Sequence, residues 1–208
     1  MSNEIVRFED LKLSPEILKA VGKMGFSSPT PVQAQTIPVM LDGRDVIAKA
    51  PTGTGKTCAF GIPIIECLDP EITDPQAVII CPTRELCVQI AEELRQLVAY
   101  RPDVRIAAVY GGQPIARQLA VLKKNPHIVV ATPGRLLDHM GRGTVYLGNV
   151  YTAVLDEADE MLKMGFIRDV TRILDLMPQR RNLGLFSATI SREVMDISWV
   201  YQRDPEEI

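Results

Sequence analysis

The sequence predicts an α/β fold in which a mostly parallel sheet carries helices on both of its faces. Along the 208 residues, short runs rich in valine and isoleucine alternate with longer segments of helical periodicity. Such runs are typical of strands buried on both faces, and their alternation with helices favours a parallel sheet. The chemically distinctive residues follow directly after these runs. In a parallel sheet the carboxyl ends of the strands share one edge, and open α/β sheets bind their ligands there.

Six strands and one well-marked helix can be placed in chain order. The predicted strands are 45–49, 77–81, 104–109, 127–131, 152–156 and 183–187. The segment 84–100 is predicted to be helical because Leu86, Ile90, Leu94 and Leu97 fall on one stripe of a helix with 3.6 residues per turn.

The residues before the first strand are predicted to form a helical extension, 1–43, that packs on the sheet core, 44–208. Ser14 and Thr30 each precede a proline, which is the pattern of a helix N-cap followed by proline at the first helical position. The length is that of one ordinary domain, so we expect a single domain over residues 1–208.

Composition narrows the class of protein. The hydrophobic fraction of 46% and the charged fraction of 24% are those of a globular protein. No apolar run reaches the roughly 18 residues of a membrane span, so we expect no membrane contact. Cys58, Cys67, Cys81 and Cys87 form no C-x-x-C pair, which fits the reducing cytoplasm. The net charge of −3 predicts that any contact with nucleic acid is local.

A glycine-rich stretch follows the first predicted strand and reads Ala50-Pro51-Thr52-Gly53-Thr54-Gly55-Lys56-Thr57. Gly53 and Gly55 allow a tight turn whose N–H groups, with the next helix N-terminus, can cradle phosphates. Lys56 supplies a cation for the β- and γ-phosphates, and Thr57 a hydroxyl for Mg²⁺. The alternative is a plain turn with a solvated lysine. Ala50 stands where the usual pattern has glycine, and Pro51 removes one N–H from the loop.

The tetrapeptide Asp156-Glu157-Ala158-Asp159 follows the apolar strand 152–156. An unpaired carboxylate there would be costly, and Mg²⁺, bound directly or through water, would remove that cost from Asp156. Glu157 is placed to orient or deprotonate an attacking water. The alternative is a helix N-terminus enriched in acids for dipole reasons. The glycine loop earlier in the chain favours the nucleotide interpretation.

Other residues at the same edge are weaker signals. The hydroxyls of Ser187 and Thr189 could bond the acidic cluster, although such residues are more often caps. Arg84 and Arg135 lie near predicted helix starts and could bind a nucleic-acid phosphate, with a surface salt bridge as the equal alternative. Gln33 could pair with adenine through two hydrogen bonds, or be a solvated helix residue.

Together these stretches resemble the DEAD-box RNA helicases. Gly25–Gln33 resembles the family's adenine-sensing Q motif, and Phe8 stands where the family keeps an isolated upstream aromatic. The other matching segments are 50–57 (motif I), 82–86 (motif Ia), 111–112 (the GG element), 132–135 (motif Ib), 154–159 (motif II) and 187–189 (motif III).

The resemblance implies a RecA-like P-loop domain that uses ATP and Mg²⁺. Phe8 would stack on adenine and Gln33 would read it, and the remaining nucleotide-binding residues would be Ala50, Thr52, Gly53, Thr54, Gly55, Lys56 and Thr57. Lys56, Asp156 and Glu157 would serve catalysis, with Thr57 and Asp156 at the metal, and Ser187 and Thr189 would couple hydrolysis to strand separation. Thr83, Arg84, Gly112, Thr132, Gly134 and Arg135 would touch the RNA backbone.

The resemblance also implies a partner, because the family has a second RecA-like domain that carries arginine fingers and half of the RNA surface. We therefore expect residues 1–208 to be the first half of a helicase, an expressed fragment that is monomeric, binds adenine nucleotides weakly and is nearly inactive alone. The alternative is a nucleotide-gated RNA- or protein-binding module that works without a second domain. A DNA-directed helicase is a weaker alternative, against which the Q motif argues.

Overall fold

Seven parallel strands form a single sheet in the computed structural model, which describes residues 6–178 and 182–208. The strands are β1 (Val46–Lys49), β2 (Ala77–Ile80), β3 (Ile106–Val109), β4 (Ile128–Ala131), β5 (Thr152–Leu155), β6 (Asn182–Ser187) and β7 (Glu206–Glu207). Their order across the sheet is β3-β4-β2-β5-β6-β1-β7. Every neighbouring pair is parallel, so the predicted α/β class with a mostly parallel sheet is confirmed.

The six predicted strands are all present with slightly different ends, but the seventh was not predicted. β7 consists of Glu206 and Glu207, both exposed, so it lacks the apolar run that marks the other strands. It joins the sheet through its backbone. The N–H of Glu206 donates to the carbonyl of Asp45, and the N–H of Ile208 donates to the carbonyl of Ile47. Such a strand is specified by its position beside β1 rather than by its own side chains.

Helices cover both faces of the sheet. They are α1 (Pro15–Lys23), α2 (Pro31–Leu41), α3 (Lys56–Glu66), α4 (Arg84–Leu97), α5 (Ile115–Leu122), α6 (Pro133–Gly141), α7 (Ala158–Lys163), α8 (Ile167–Asp175) and α9 (Arg192–Tyr201). The apolar side chains of α1 to α4 bury one face of the sheet, and those of α5 to α9 bury the other. This two-sided burial explains why the strands read as continuous apolar runs.

The predicted helix features are confirmed at three points. The Ser14 hydroxyl accepts a hydrogen bond from the N–H of Ile17, and the Thr30 hydroxyl accepts one from the N–H of Gln33, so both residues cap helices. The apolar stripe of α4 is buried, but the helix ends at Leu97 instead of extending to residue 100. The predicted extension contains a short 3₁₀ helix, Phe8–Leu11, followed by α1 and α2, and residues 1–5 lie outside the described range.

Two further expectations can be compared with the structure. Cys58, Cys81 and Cys87 are buried, Cys67 is exposed, and all four are free thiols. Within residues 6–178 and 182–208, none of the helices has the length and apolar character needed to cross a bilayer.

Two helical glycines provide a test of how closely α3 and α4 pack. A Cβ atom at Gly61 of α3 would lie 2.7 Å from Leu94 Cδ2 and 3.1 Å from Leu97 Cδ1, whereas one at Gly22 of α1 would meet nothing within 4 Å. Overpacking costs about 1–3 kcal/mol, against a helix-propensity gain of about 1 kcal/mol for alanine over glycine. We therefore expect Gly61→Ala to lower the free energy of unfolding in urea.

Gly22→Ala is the matched control, because it gains propensity without a clash. It should raise the free energy of unfolding by about 0.5–1 kcal/mol. Equal effects of the two substitutions would show that α3 and α4 do not approach as closely as described.

Candidate functional site

The six chemically distinctive stretches lie at one edge of the sheet, which we call the carboxyl edge. It comprises Ala50–Thr57, Pro82–Leu86, Gly111–Gly112, Thr132–Arg135, Asp156–Asp159 and Ser187–Thr189. Backbone hydrogen bonds continue from the strands into these loops: the N–H of Ala50 donates to the carbonyl of Ser187 at 2.9 Å, and that of Asp156 to the carbonyl of Ile80 at 2.9 Å. The loops therefore leave the sheet in fixed directions.

The glycine loop has a backbone that only glycine adopts readily. Gly53 and Gly55 have φ of +86° and +82°, and Gly55 immediately precedes α3. Gly55 is also constrained by space, because a Cβ atom there would lie 2.5 Å from Gln33 Nε2. The close approach of Gln33 to the loop is thus possible only with glycine at position 55.

Thr30 and Gln33 hold two consecutive carbonyls of this loop. The Thr30 hydroxyl donates to the carbonyl of Thr54 at 2.9 Å, and Gln33 Nε2 donates to the carbonyl of Gly55 at 3.0 Å. Gln33 Oε1 accepts from the N–H of Thr30, also at 2.9 Å. Among the residues that the structure describes, no partner uses the second Nε2 hydrogen or the second Oε1 lone pair, although Gln33 is fully buried. Its predicted contact with adenine remains a prediction.

Lys56 lies in the first turn of α3 and faces the carboxylates that end β5. Its Nζ is 2.8 Å from Asp156 Oδ1 and 3.5 Å from Glu157 Oε1. The hydroxyl of Thr52, in the glycine loop, donates to the same Glu157 oxygen at 3.0 Å. The structure therefore brings the predicted phosphate lysine, the predicted metal carboxylate and the predicted water-positioning glutamate into direct contact.

Asp156 is a completely buried carboxylate with one oxygen unsatisfied. Desolvation by burial raises its pKa, the charge and hydrogen bond of Lys56 lower it, and the like charge of Glu157 raises it again, so the net pKa is raised. Oδ1 accepts from Lys56 and from the N–H of Glu157, but Oδ2 has no hydrogen-bond partner within the described residues. An orphaned buried oxygen of this kind fits a position where a hard cation completes the site.

Besides Asp156, few side chains of the described residues could bind such a cation. Thr57 contributes a nearly buried hydroxyl one residue after Lys56. Within residues 6–178 and 182–208, no group of three or more His, Cys, Asp or Glu side chains could hold a metal. This donor set suits Mg²⁺, which binds through one or two protein oxygens together with waters and substrate phosphates.

Glu157 adopts a left-handed backbone conformation, with φ of 54° and ψ of 51°. For a residue with a Cβ atom this costs about 1–2 kcal/mol. The conformation places Glu157 at the junction between β5 and α7, with 22% of its side chain exposed. Strain of this type often marks a residue whose side chain must be aimed at a particular point.

Asp159 ties the end of β6 to α7. Its Oδ2 accepts from the Thr189 N–H at 3.0 Å and from the Thr189 hydroxyl at 2.8 Å. The Ser187 hydroxyl accepts from the Asp159 N–H and donates to the Thr189 carbonyl. Burial alone would raise the pKa of Asp159, but the hydrogen bonds that its carboxylate accepts, chiefly from Thr189, outweigh it and hold the pKa below its usual range. The predicted bonding of the Ser187 and Thr189 hydroxyls to the acidic cluster is confirmed at Asp159, which was not itself predicted as a site residue.

The residues expected to touch RNA fall into two groups. In the first, Thr83 caps α4 through the N–H of Leu86, and the guanidinium of Arg84 lies 5.4 Å from the centroid of the Tyr110 ring. Gly112 is exposed beside Arg84, and a Cβ atom at Gly112 would lie 3.7 Å from Arg84 Nη1. Arg84 is exposed, so it can reach a phosphate from this position.

The second group lies at the start of α6. Thr132 precedes the helix and Gly134 is exposed in its first turn. Arg135 is only 15% exposed at its side chain and is held by the protein. Its Nη1 donates to the carbonyl of Gln113 at 2.9 Å and to Gln118 Oε1 at 3.1 Å. Sequence reasoning missed Gln118, because a single glutamine in a helix has no motif-like spacing.

Phe8 belongs to the apolar cluster that α1 to α4 form on one face of the sheet. It is nearly fully buried, and its ring centroid is 6.4 Å from that of Phe26 in an edge-to-face arrangement. Stacking of Phe8 on an adenine therefore stays a prediction from the resemblance.

Comparisons with known proteins agree with this geometry. The sequence model of the DEAD/DEAH box helicases matches residues 30–197. The chain is 49% identical over 203 residues to the DEAD-box ATP-dependent RNA helicase CshA of Bacillus subtilis, covering 98% of this chain and 41% of that protein. It is 50% identical over 199 residues to CshA of Geobacillus kaustophilus, covering 96% and 42%. The chain thus spans about two fifths of the length of these relatives.

Two solved structures have the same fold. A DEAD box protein from Methanococcus jannaschii superposes with a TM-score of 0.91 at 45% identity, covering 97% of this chain and 55% of that one. A hypothetical ATP-dependent RNA helicase from Sulfolobus tokodaii superposes with a TM-score of 0.86 at 41% identity, covering 94% and 57%.

The lowered pKa of Asp159 predicts how its contribution to stability depends on pH. A carboxyl whose pKa is lower in the folded state stabilises the protein above the unfolded pKa, near 3.8, and loses that effect as the pH falls through the folded pKa. We expect Asp159→Asn to lower the free energy of unfolding by about 1–3 kcal/mol at pH 7. The difference from the unmodified protein should shrink below about pH 4.

The measurement is urea unfolding of both proteins between pH 3 and pH 7. Asp196→Asn, at an exposed position of α9, is the control and should change stability little at pH 7. A difference for Asp159→Asn that stays constant down to pH 3 would show that the Asp159 charge is not what Thr189 and Ser187 stabilise.

Proposed function

Because this chain belongs to the DEAD/DEAH box helicase family, we propose that it is the ATP-binding half of an ATP-dependent RNA helicase, which couples ATP hydrolysis to unwinding or remodelling of RNA duplexes. The observation that carries the proposal is the contact of Lys56 with both Asp156 and Glu157 beside the glycine loop. The same edge of the sheet presents the residues proposed to bind RNA. The proposed setting is the cytoplasm, where four free thiols are stable.

Nucleotide binding requires Lys56 to change partner. The N–H groups of the glycine loop and the N-terminus of α3 would attract the phosphates. Lys56, the first residue of α3, would add its ammonium charge to this site. In the structure this ammonium is paired with Asp156. Exchange of a carboxylate for a phosphate has a cost, and this supports weak binding of adenine nucleotides by the isolated chain.

Mg²⁺ would be held by Asp156, directly or through water, and by the Thr57 hydroxyl. The unsatisfied Asp156 Oδ2 supports this assignment. When bound, the ion supplies positive charge that offsets the charge of the transferring phosphate.

Glu157 is the residue proposed to orient the attacking water. Its carboxylate now accepts from Thr52 and lies near Lys56, so it is held at the loop that faces the phosphates. A carboxylate in this place can accept a proton from water as it attacks. Ser187 and Thr189, through their bonds to Asp159, would pass changes at this site to the end of β6.

RNA would lie along the exposed part of the carboxyl edge, at Thr83, Arg84, Gly112, Thr132, Gly134 and Arg135. Two arginines and a net charge of −3 make this a weak surface alone. We propose that a second RecA-like domain supplies the other half of the RNA surface and the arginines that face the γ-phosphate.

The nucleotide part of the proposal predicts selectivity for adenine. Calorimetric titration should show ADP binding at least ten-fold more tightly than GDP. Lys56→Ala should weaken ADP binding about ten-fold or more, because it removes a charge-assisted contact to phosphate.

Gln33→Ala should remove the preference for ADP over GDP. Gln35→Ala is its matched control, because Gln35 is exposed on the same helix. Equal affinities for ADP and GDP in the unmodified chain would contradict the role of Gln33.

The catalytic part predicts that the isolated chain releases phosphate from ATP near the background rate, without stimulation by RNA. An arginine finger contributes about 10³–10⁵ in rate in related phosphoryl-transfer enzymes. The edge arginines Arg84 and Arg135 contact Tyr110, Gln113 and Gln118 instead. Fusion to a second RecA-like domain should restore RNA-stimulated turnover. In the fusion, Glu157→Gln should abolish turnover while leaving ADP affinity unchanged. Robust RNA-stimulated turnover by residues 1–208 alone would overturn the two-domain account.

A further inference from the structure

Gln118 is a buried side chain of α5 that joins three segments of the protein. Only 2% of the residue is exposed. Its Nε2 donates to the carbonyl of Tyr110 at 2.7 Å, and its Oε1 accepts from Arg135 Nη1 at 3.1 Å and meets His139 Nε2 at 2.9 Å. One amide thus connects the end of β3, the first turn of α6 and the last turn of the same helix.

The chemistry of the partners fixes the orientation of this amide. The carbonyl of Tyr110 can only accept and the guanidinium of Arg135 can only donate, so Nε2 must face the former and Oε1 the latter. His139 Nε2 must then carry a hydrogen. Nδ1 lies 2.8 Å from the hydroxyl oxygen of Thr144, which also donates to the His139 carbonyl at 3.0 Å. Burial, and secondarily the charge of Arg135, lowers the pKa of His139, which keeps the ring neutral.

Gln118 and the Gln113 carbonyl together immobilise one end of Arg135. Both accept from Nη1, and Asp138 Oδ2 lies 4.0 Å from Nε. The bonds of Arg135 involve Nη1, and within residues 6–178 and 182–208 Nη2 has no hydrogen-bond or ion-pair partner, while 15% of the side chain is exposed. An arginine fixed at one amino group and free at the other presents a pre-organised donor to phosphate.

The same amide also fixes the turn that carries the exposed Gly111 and Gly112. The turn leaves β3 at Tyr110, whose carbonyl is bonded to Gln118, and reaches Gln113, whose carbonyl is bonded to Arg135. Gln113 Nε2 donates back to the Tyr110 hydroxyl at 2.7 Å. The turn and Arg135 are therefore held in one arrangement by a residue that cannot itself reach a ligand.

We propose that Gln118 is a positioning residue for RNA binding, which holds Arg135 and the Tyr110–Gln113 turn so that both meet the backbone of one RNA strand. This inference rests on the proposed function of the carboxyl edge. It assigns to Gln118 no contact with RNA and no part in nucleotide binding.

Two substitutions at position 118 separate its bonds. Gln118→Met keeps the approximate size of the side chain and removes the bonds to Tyr110, Arg135 and His139. Gln118→Glu keeps an acceptor for Arg135 and loses the donor to the Tyr110 carbonyl. Gln89→Met is the matched control, because Gln89 is an exposed glutamine of α4 bonded to Glu93.

The first measurement needs no RNA. In the nuclear magnetic resonance spectrum of the free chain, the Arg135 guanidinium of the unmodified protein and of Gln118→Glu should relax as a rigid group. In Gln118→Met the Arg135 guanidinium should relax as a mobile group. In the control Gln89→Met it should relax as it does in the unmodified protein. An Arg135 group that stays rigid in Gln118→Met overturns the proposal.

The second measurement is the affinity for a single-stranded oligouridylate as a function of salt, at temperatures where each variant is fully folded. Loss of one phosphate contact lowers the slope of log affinity against log salt by about 0.7. Arg135→Met and Gln118→Met should each lower the slope by this amount, and the double variant should lower it no further. Gln118→Glu should keep the slope of the unmodified chain, because it keeps the acceptor for Arg135. The affinity for ADP should be unchanged in every variant.

The outcomes are distinguishable. If Gln118→Met only lowers the melting temperature and leaves the salt slope intact, Gln118 is merely structural and the proposal is wrong. Additive losses in the double variant also overturn it, because Gln118 would then not act through Arg135. If the unmodified chain binds no RNA at low salt, the proposed function of the edge fails. The Arg135 relaxation then decides alone whether Gln118 fixes that side chain.

Discussion

The buried ion pair between Lys56 and Asp156 is the interaction on which the site depends. Lys56 follows β1 and Asp156 follows β5, and β6 lies between these strands in the sheet. The 2.8 Å contact exists because parallel strands deliver both side chains to the same edge. Moving two charges out of water is costly, and their attraction repays that cost only when the remaining polar atoms are satisfied. Among residues 6–178 and 182–208 no group hydrogen-bonds to Asp156 Oδ2, so Lys56 alone does not satisfy this carboxylate.

Buried and partly buried polar side chains hold the loops at this edge beyond the hydrogen bonds of the sheet. Thr30 and Gln33 hold two carbonyls of the glycine loop, and Asp159 holds the segment after β6. Gln118 and Arg135 do the same for the turn after β3. In each case a side chain from another element bonds the loop backbone. A loop held this way can change shape only when a specific hydrogen bond is exchanged, which is how a ligand at one loop can affect its neighbour.

The sequence predicted the architecture well, because the strands and the loops that follow them are specified by local patterns. Continuous apolar runs marked six strands, and residues following them marked the edge. β7 escaped prediction because its two glutamates pair through backbone alone. Gln118 escaped because its role arises from partners on two other elements, which no local pattern encodes. The bonds that occupy Gln33 were likewise unpredictable, since they depend on how closely α2 approaches the loop.

The commitment of the edge arginines explains why a second surface is needed for the proposed chemistry. Arg84 lies over the ring of Tyr110, and Arg135 is bonded to Gln113 and Gln118. Arg84 follows β2 and Arg135 follows β4, and β5 and β6 separate both strands from β1, which precedes Lys56. In the proposed reaction, Lys56 and the metal ion would then be the positive charges at the transferring phosphate, whose charge spreads over three oxygens. Charge supplied from across a cleft would complete the site only when the two halves close, so hydrolysis would depend on the same closure that brings the two RNA surfaces together.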